Sequence, residues 1–182
     1  MNPRLAVLGL LSSVLGFTSG CSLLPEPQAD TTRYFTLSGI PAGTPVPESL
    51  GVRPVRLAGH LRNRSMAVRV SENEVIYLDD IRWAEPVDEA LTQVLRSRLR
   101  QIAGGGTVTV QIQRFELVRS AGNTVQLVAT YAITPPGGEP RPGEFTAERR
   151  VWSGGDTGAL VGLLRQAADD LAEAIAAAAT AK

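Results

Sequence analysis

The apolar positions of this chain change rhythm several times along its length. Leu5 to Phe17 is an unbroken stretch of apolar or small residues without a charge. Tyr34-Phe35-Thr36-Leu37 is short and rich in aromatic and β-branched types, which predicts a strand. Ser38 to Ser49 is punctuated by prolines and glycines and reads as a loop. Val52 to Ala58 alternates imperfectly around Pro54, which cannot donate to a ladder and therefore marks a strand edge or start. His60 to Arg64 is a polar connection. Met66, Val68 and Val70 then alternate against Ala67 and Arg69. Ser71-Glu72-Asn73-Glu74 has turn chemistry, and Val75-Ile76-Tyr77-Leu78 returns, so a hairpin is expected.

The period then lengthens. Val87, Leu91, Val94, Leu95, Leu99 and Ile102 recur at helical spacing behind Glu85-Pro86, where proline at the first helical position loses no hydrogen bond. Asp88 and Glu89 precede Arg96, Arg98 and Arg100, the order that the helix dipole favours. Gly104-Gly105-Gly106 is expected to stop this helix. Val108, Val110 and Ile112 alternate next, and Phe115 and Leu117 continue in the opposite phase. A bulge near Gln113-Arg114 reconciles the two runs. Ala121-Gly122-Asn123 turns the chain into a strand carrying Val125, Leu127, Ala129, Tyr131 and Ile133. Pro135 to Gly143 is expected to be a loop, and Phe145 to Trp152 a further strand. Asp156 is placed to cap a long helix with Leu160, Leu164, Ala167, Leu171, Ile175 and Ala178 on one face. The Asp169-Asp170 pair on that helix reads as a solvated face. The order predicts an α/β fold, a single domain in which a mixed β-sheet packs with two long α-helices.

The first stretch has a different meaning. Arg4, a 13-residue apolar run and small residues at Thr18, Ser19 and Gly20 form the layout of an export signal. The run is shorter than the roughly 20 residues that a membrane-spanning helix needs. Cys21 is the only cysteine in the chain, and an odd cysteine in an exported protein is expected to be modified, reactive or paired between chains. Thr18-Ser19-Gly20-Cys21 resembles the bacterial lipobox, which implies cleavage between Gly20 and Cys21 and lipid attachment at Cys21. Thr18 departs from the usual Leu or Val of that motif. Residues 1–20 are then a cleaved lipoprotein signal peptide, 21–33 a lipidated tether and 34–182 the α/β domain. The tether has two prolines and no periodicity, and its twelve residues after Cys21 reach at most about 40 Å. Ser22, where an Asp commonly retains a lipoprotein at the inner membrane, favours the outer membrane.

Composition narrows the function classes. Eighteen basic and eighteen acidic residues balance, and no basic stripe with interleaved aromatics is present, so nucleic acid is not an expected partner. One histidine and one cysteine fall short of a zinc ligand set, no window supplies a calcium loop, and no cofactor is expected. A serine triad would have to use His60, yet no G-x-S-x-G elbow exists. Ser153 to Gly158 precedes a helix but lacks the lysine of a phosphate loop, so capping is the better reading. No catalytic residue is expected, and the chain is read as a non-enzyme.

One segment carries a resemblance. Tyr77 to Leu91, with Arg82-Trp83-Ala84-Glu85-Pro86 at its centre, resembles a signature of the ABC-type transport auxiliary lipoproteins (the PqiC-like family). Tyr34-Phe35-Thr36-Leu37 matches the strand that follows the lipobox in that family. The resemblance implies an anticodon-binding-like arrangement of sheet and helices. It also implies an outer-membrane lipoprotein on the periplasmic face that partners an MCE-domain protein in lipid transport between the membranes. A homo-oligomeric ring is a further implication. Arg82, Trp83, Glu85 and Pro86 are the motif residues, with Trp83 expected to anchor the turn against the sheet and Pro86 to fix the start of the helix. An accessory role in β-barrel assembly and a small lipid-carrying module are the alternatives.

Overall fold

The alternating segments come together as one mixed sheet. In a computed structural model describing residues 29–37, 44 and 46–181, the strands are β1 (Arg33–Phe35), β2 (Gly51–Val52), β3 (Arg56–Leu57), β4 (Ser65–Ser71), β5 (Glu74–Trp83), β6 (Thr107–Val118), β7 (Thr124–Thr134), β8 (Arg141–Thr146) and β9 (Arg150–Val151). Two α-helices, α1 (Val87–Leu99) and α2 (Thr157–Thr180), and a 3-10 turn at Gly59–Arg62 complete the order. All of these belong to the unit Thr32–Lys182, separate from Met1–Thr31. The expected signal peptide, the Gly20–Cys21 cleavage point and the Cys21 attachment point lie outside the described residues.

The main path across the sheet is β1-β5-β4-β6-β7-β8. β6 organises it. β7 runs antiparallel along its whole length on one side, while β2, β3 and β4 lie parallel to it in succession on the other. The expected hairpin is β4–β5, paired antiparallel. The expected bulge is present as a register shift between Ile112 and Arg114, which returns Phe115 and Leu117 to the face of Val108, Val110 and Ile112. Gly122 and Asn123 turn β6 into β7 with positive φ at both residues.

One face of this sheet is dry. Val108, Val110 and Ile112 are buried whereas Thr109 and Gln111 are exposed. The buried face joins Leu91, Leu95 and Leu99 of α1 and Leu160, Leu164, Leu171 and Ile175 of α2 in one apolar core. Each such side chain contributes about 1.5–3 kcal/mol on burial. Ala167, Ala168 and Ala172 are buried as well, and their small size lets α2 lie close to its neighbours. Asp156 caps α2 as expected, its carboxylate accepting from the Gly158 N–H at 2.8 Å. No described helix is long and apolar enough to cross a membrane.

Three boundaries differ from expectation. α1 ends at Leu99, before the three glycines, and Ile102 reaches the core from the turn that follows. The glycines serve the start of β6 instead. Gly106 has φ +82°, and a Cβ there would sit 2.4 Å from the Thr134 carbonyl oxygen. The strand expected over Phe145–Trp152 begins earlier, at Arg141, and breaks into β8 and β9. An edge strand tolerates Pro142 because its unpaired side requires no donor. Pro86 is the residue before α1, not its first, and its carbonyl accepts the first helical bond from Ala90 at 3.0 Å.

Candidate functional site

The segment Arg82–Pro86 splits between the core and a cleft. Trp83 ends β5 and is buried, its ring 6.0 Å from that of Phe115. Its N–H donates to the Arg64 carbonyl at 2.8 Å, and the next N–H, of Ala84, donates to the Phe35 carbonyl at 2.7 Å. Trp83 is thus pinned between β1 and the end of the 3-10 turn. Arg82, its neighbour, is exposed and makes only a 3.4 Å contact from Nε to the Asp79 carbonyl. Glu85 accepts a hydrogen bond from the Thr36 hydroxyl, which ties the chain after β1 to the start of α1.

Glu85 and Pro86 then line a cleft of about 560 Å³. Its floor is made by Val55, Leu57 and Val87, all buried. Its walls carry Arg56 from β3, Arg62 and Arg64 from the 3-10 turn and the residues after it, and Asp88 from α1. Local hydrogen bonds fix these walls. Thr92 Oγ1 donates to the Asp88 carbonyl at 2.6 Å and accepts from the Val55 N–H at 2.9 Å, bridging helix and strand. Asn63 Oδ1 accepts from the Ser65 N–H at 2.9 Å, closing the turn that presents Arg62 and Arg64. Arg56, Arg62 and Arg64 are exposed and form no ion pair with any described residue. The cleft is therefore polar in both senses, with free guanidinium groups facing a space that also holds two carboxylates.

His60 has a different setting. Its Nε2 lies 3.3 Å from Glu116 Oε2, out of hydrogen-bonding alignment, while Arg69 Nε donates to Glu116 Oε1 at 2.5 Å. Glu116 is fully buried. The Tyr77 hydroxyl donates to the His60 carbonyl at 2.9 Å. These contacts hold the turn down on β4, β5 and β6. The carboxylates read as a solvated face are also engaged. Asp169 receives a two-pronged bond from Arg98 at 2.9 and 2.7 Å and a further one from Arg165 at 3.3 Å, and Asp170 pairs with Arg150 at 2.7 Å. Burial alone pushes the Asp169 carboxyl up, but the bond from Arg98 and the charge of Arg165 outweigh it and hold it below its ordinary value.

Sequence reasoning missed the arginines beside the motif. A signal was available: no carboxylate occurs between Glu48 and Glu72, while Arg53, Arg56, Arg62, Arg64 and Arg69 do. It went unread because the stretch lacks the aromatics expected of a nucleic-acid surface.

Comparison with known proteins adds the family. Two crystal structures share the fold. One, of an uncharacterized protein, has a TM-score of 0.66 at 17% identity over 80% of this chain and 96% of its own. The other, of a Xanthomonas campestris protein described under the family DUF330, has a TM-score of 0.62 at 18% identity over 79% of this chain and 92% of its own. No curated protein matches the sequence. The family described as "ABC-type transport auxiliary lipoprotein component" matches residues 35–176, from the last residue of β1 almost to the end of α2 and across the whole motif; the chain belongs to that family.

Proposed function

We propose that this chain is a non-catalytic outer-membrane lipoprotein, anchored on the periplasmic face through acylated Cys21, that serves as the adaptor of an MCE-type lipid transport system. The observation that carries the reading is the family match over residues 35–176, since an auxiliary component of ABC-type transport acts through partners. Three further features support it. The Ser19-Gly20-Cys21 sequence suits lipoprotein processing, and Ser22 suits sorting to the outer membrane. The one histidine, His60, has its Nε2 3.3 Å from the carboxylate of the buried Glu116. The motif places Trp83 in the core while Glu85 and Pro86 reach a surface cleft, as a domain built to present a surface requires. The partner is an MCE-domain protein, and a ring of copies at the outer membrane is consistent with an adaptor that closes the end of a conduit.

The experiment has two arms. Intact mass of the mature protein from membranes should show a chain beginning at Cys21 and carrying diacylglycerol plus an amide-linked acyl group. Affinity purification from the native envelope should recover an MCE-domain protein. An unacylated chain free in the periplasm, or recovery of only a β-barrel assembly machine, overturns the proposal.

A further inference from the structure

The arginine-lined cleft has a charge layout that suits one kind of membrane component. We infer that it is a dock for a zwitterionic phospholipid headgroup, by which the tethered domain seats itself on the leaflet that holds its anchor. The inference rests on the lipoprotein reading above.

Arg56, Arg62 and Arg64 converge on the cleft from β3, the turn and the residues after it, and none pairs with a carboxylate among the described residues. Elsewhere in the domain, Arg69, Arg98, Arg150 and Arg165 each pair with one. A guanidinium presents a planar fork of donors that matches phosphate oxygens. Glu85 and Asp88 line the same space from the start of α1. A simple anion would meet the arginines but leave the Asp88 carboxylate without a counter-charge. A headgroup carrying a phosphate and an ammonium meets both charges, with phosphate toward the arginines and ammonium toward Asp88. The cleft, at about 560 Å³, falls within the ordinary range of small-molecule sites.

Position favours a lipid over a soluble phosphate compound. The described chain enters β1 at Arg33, and Thr36, just past the other end of that strand, donates to Glu85 in the cleft wall. Three strand residues span only about 10 Å. A tether from Cys21 to Arg33 of at most about 40 Å would therefore keep the cleft within reach of the bilayer surface. Tethering turns docking into an intramolecular event at high effective headgroup concentration, so weak affinity is enough to orient the domain.

The test uses the full lipidated chain, reconstituted through its acyl groups into vesicles of phosphatidylethanolamine or of phosphatidylglycerol, or kept in non-ionic detergent with inorganic phosphate. Amide hydrogen exchange is followed at residues 55–64 and 85–88. Slowing by severalfold on phosphatidylethanolamine, and less on phosphatidylglycerol, is expected. Arg62→Glu combined with Arg64→Glu should abolish the slowing while the chain stays vesicle-bound and folded. Asp88→Lys should reverse the preference in favour of phosphatidylglycerol. A chain that does not bind vesicles at all defeats the lipoprotein reading instead, and with it the basis of the dock. A vesicle-bound chain whose cleft exchanges as in detergent overturns the dock alone. So does equal slowing by inorganic phosphate, or slowing that survives the double reversal. A cleft protected only by an MCE-domain partner is a protein interface, and that result also overturns the proposal.

Discussion

Two groups of arginines in this domain behave in opposite ways. Along the seam between the helices and β9, Arg98, Arg165 and Arg150 each close on a carboxylate of α2, and across the sheet Arg69 closes on the fully buried Glu116. In the cleft beside α1, Arg56, Arg62 and Arg64 close on nothing within the described residues. Both groups are rich in the same side chain. Apart from the half-exposed Arg98, they differ in what desolvation demands. A charge taken out of water must be paired, whereas a charge left in water need not be. The paired arginines are part of how the domain holds its shape, and the unpaired ones are available to something outside it.

The comparison breaks most readily at its buried members. Glu116→Ala leaves Arg69 with most of its surface buried and no counter-charge, and should cost about 3–5 kcal/mol. Trp83→Ala empties the aromatic site against Phe115 and should cost a similar amount, about 3–5 kcal/mol. Urea unfolding midpoints measure both. A loss below about 1 kcal/mol for Glu116→Ala, the level of a surface pair, would remove the distinction between the two groups.

Asp169 gives a smaller effect with a pH signature. Its carboxyl is held below its ordinary value in the folded state by Arg98 and Arg165, while the same contact raises Arg98. A lowered folded-state pKa stabilises at pH values above the unfolded value of about 3.9 and ceases to do so as pH falls through the folded value. Asp169→Asn should therefore cost about 0.5–1 kcal/mol at neutral pH, because Arg98 is half exposed and solvent screens the pair. The difference between wild type and variant should shrink as the pH falls below 4. Thermal unfolding from neutral to acidic pH measures it, and a difference that does not depend on pH removes the ionic account.

Much of this architecture can be read from the residues, and the parts that cannot share a cause. The phase reversal between Ile112 and Phe115 announces the bulge because alternation with period two has only two phases. The Asp156 cap and the stripe of α2 are equally local. The Arg141–Thr146 strand was hidden because Pro142 and Gly143 suit a loop. Gly143 works in β8 because the Tyr131 ring lies where a Cβ would be. Ion pairs were harder still. Arg98 and Asp169 lie 71 residues apart, so nothing local distinguishes a solvated Asp169 from a bridged one. The division of Arg82–Pro86 between core and cleft depends on β1 and the segment after the 3-10 turn arriving beside Trp83, which no local pattern announces.

The smallest effect is expected where the unpaired group is truncated. Arg62→Ala and Arg64→Ala remove exposed side chains that make no hydrogen bond within the described domain. The backbone bond from Trp83 to the Arg64 carbonyl does not depend on the side chain, so the turn keeps its attachment. Removing one of several like charges also relieves a little mutual repulsion, which offsets the loss of packing along the aliphatic stem. Each change should therefore alter stability by no more than about 0.5 kcal/mol, or about 1–2 °C in Tm for a domain of this size. Differential scanning calorimetry of the single and double variants measures this directly. A loss near that of Asp169→Asn would mean that the cleft arginines help hold the fold, and the division between charges that build the domain and charges that face outward would collapse.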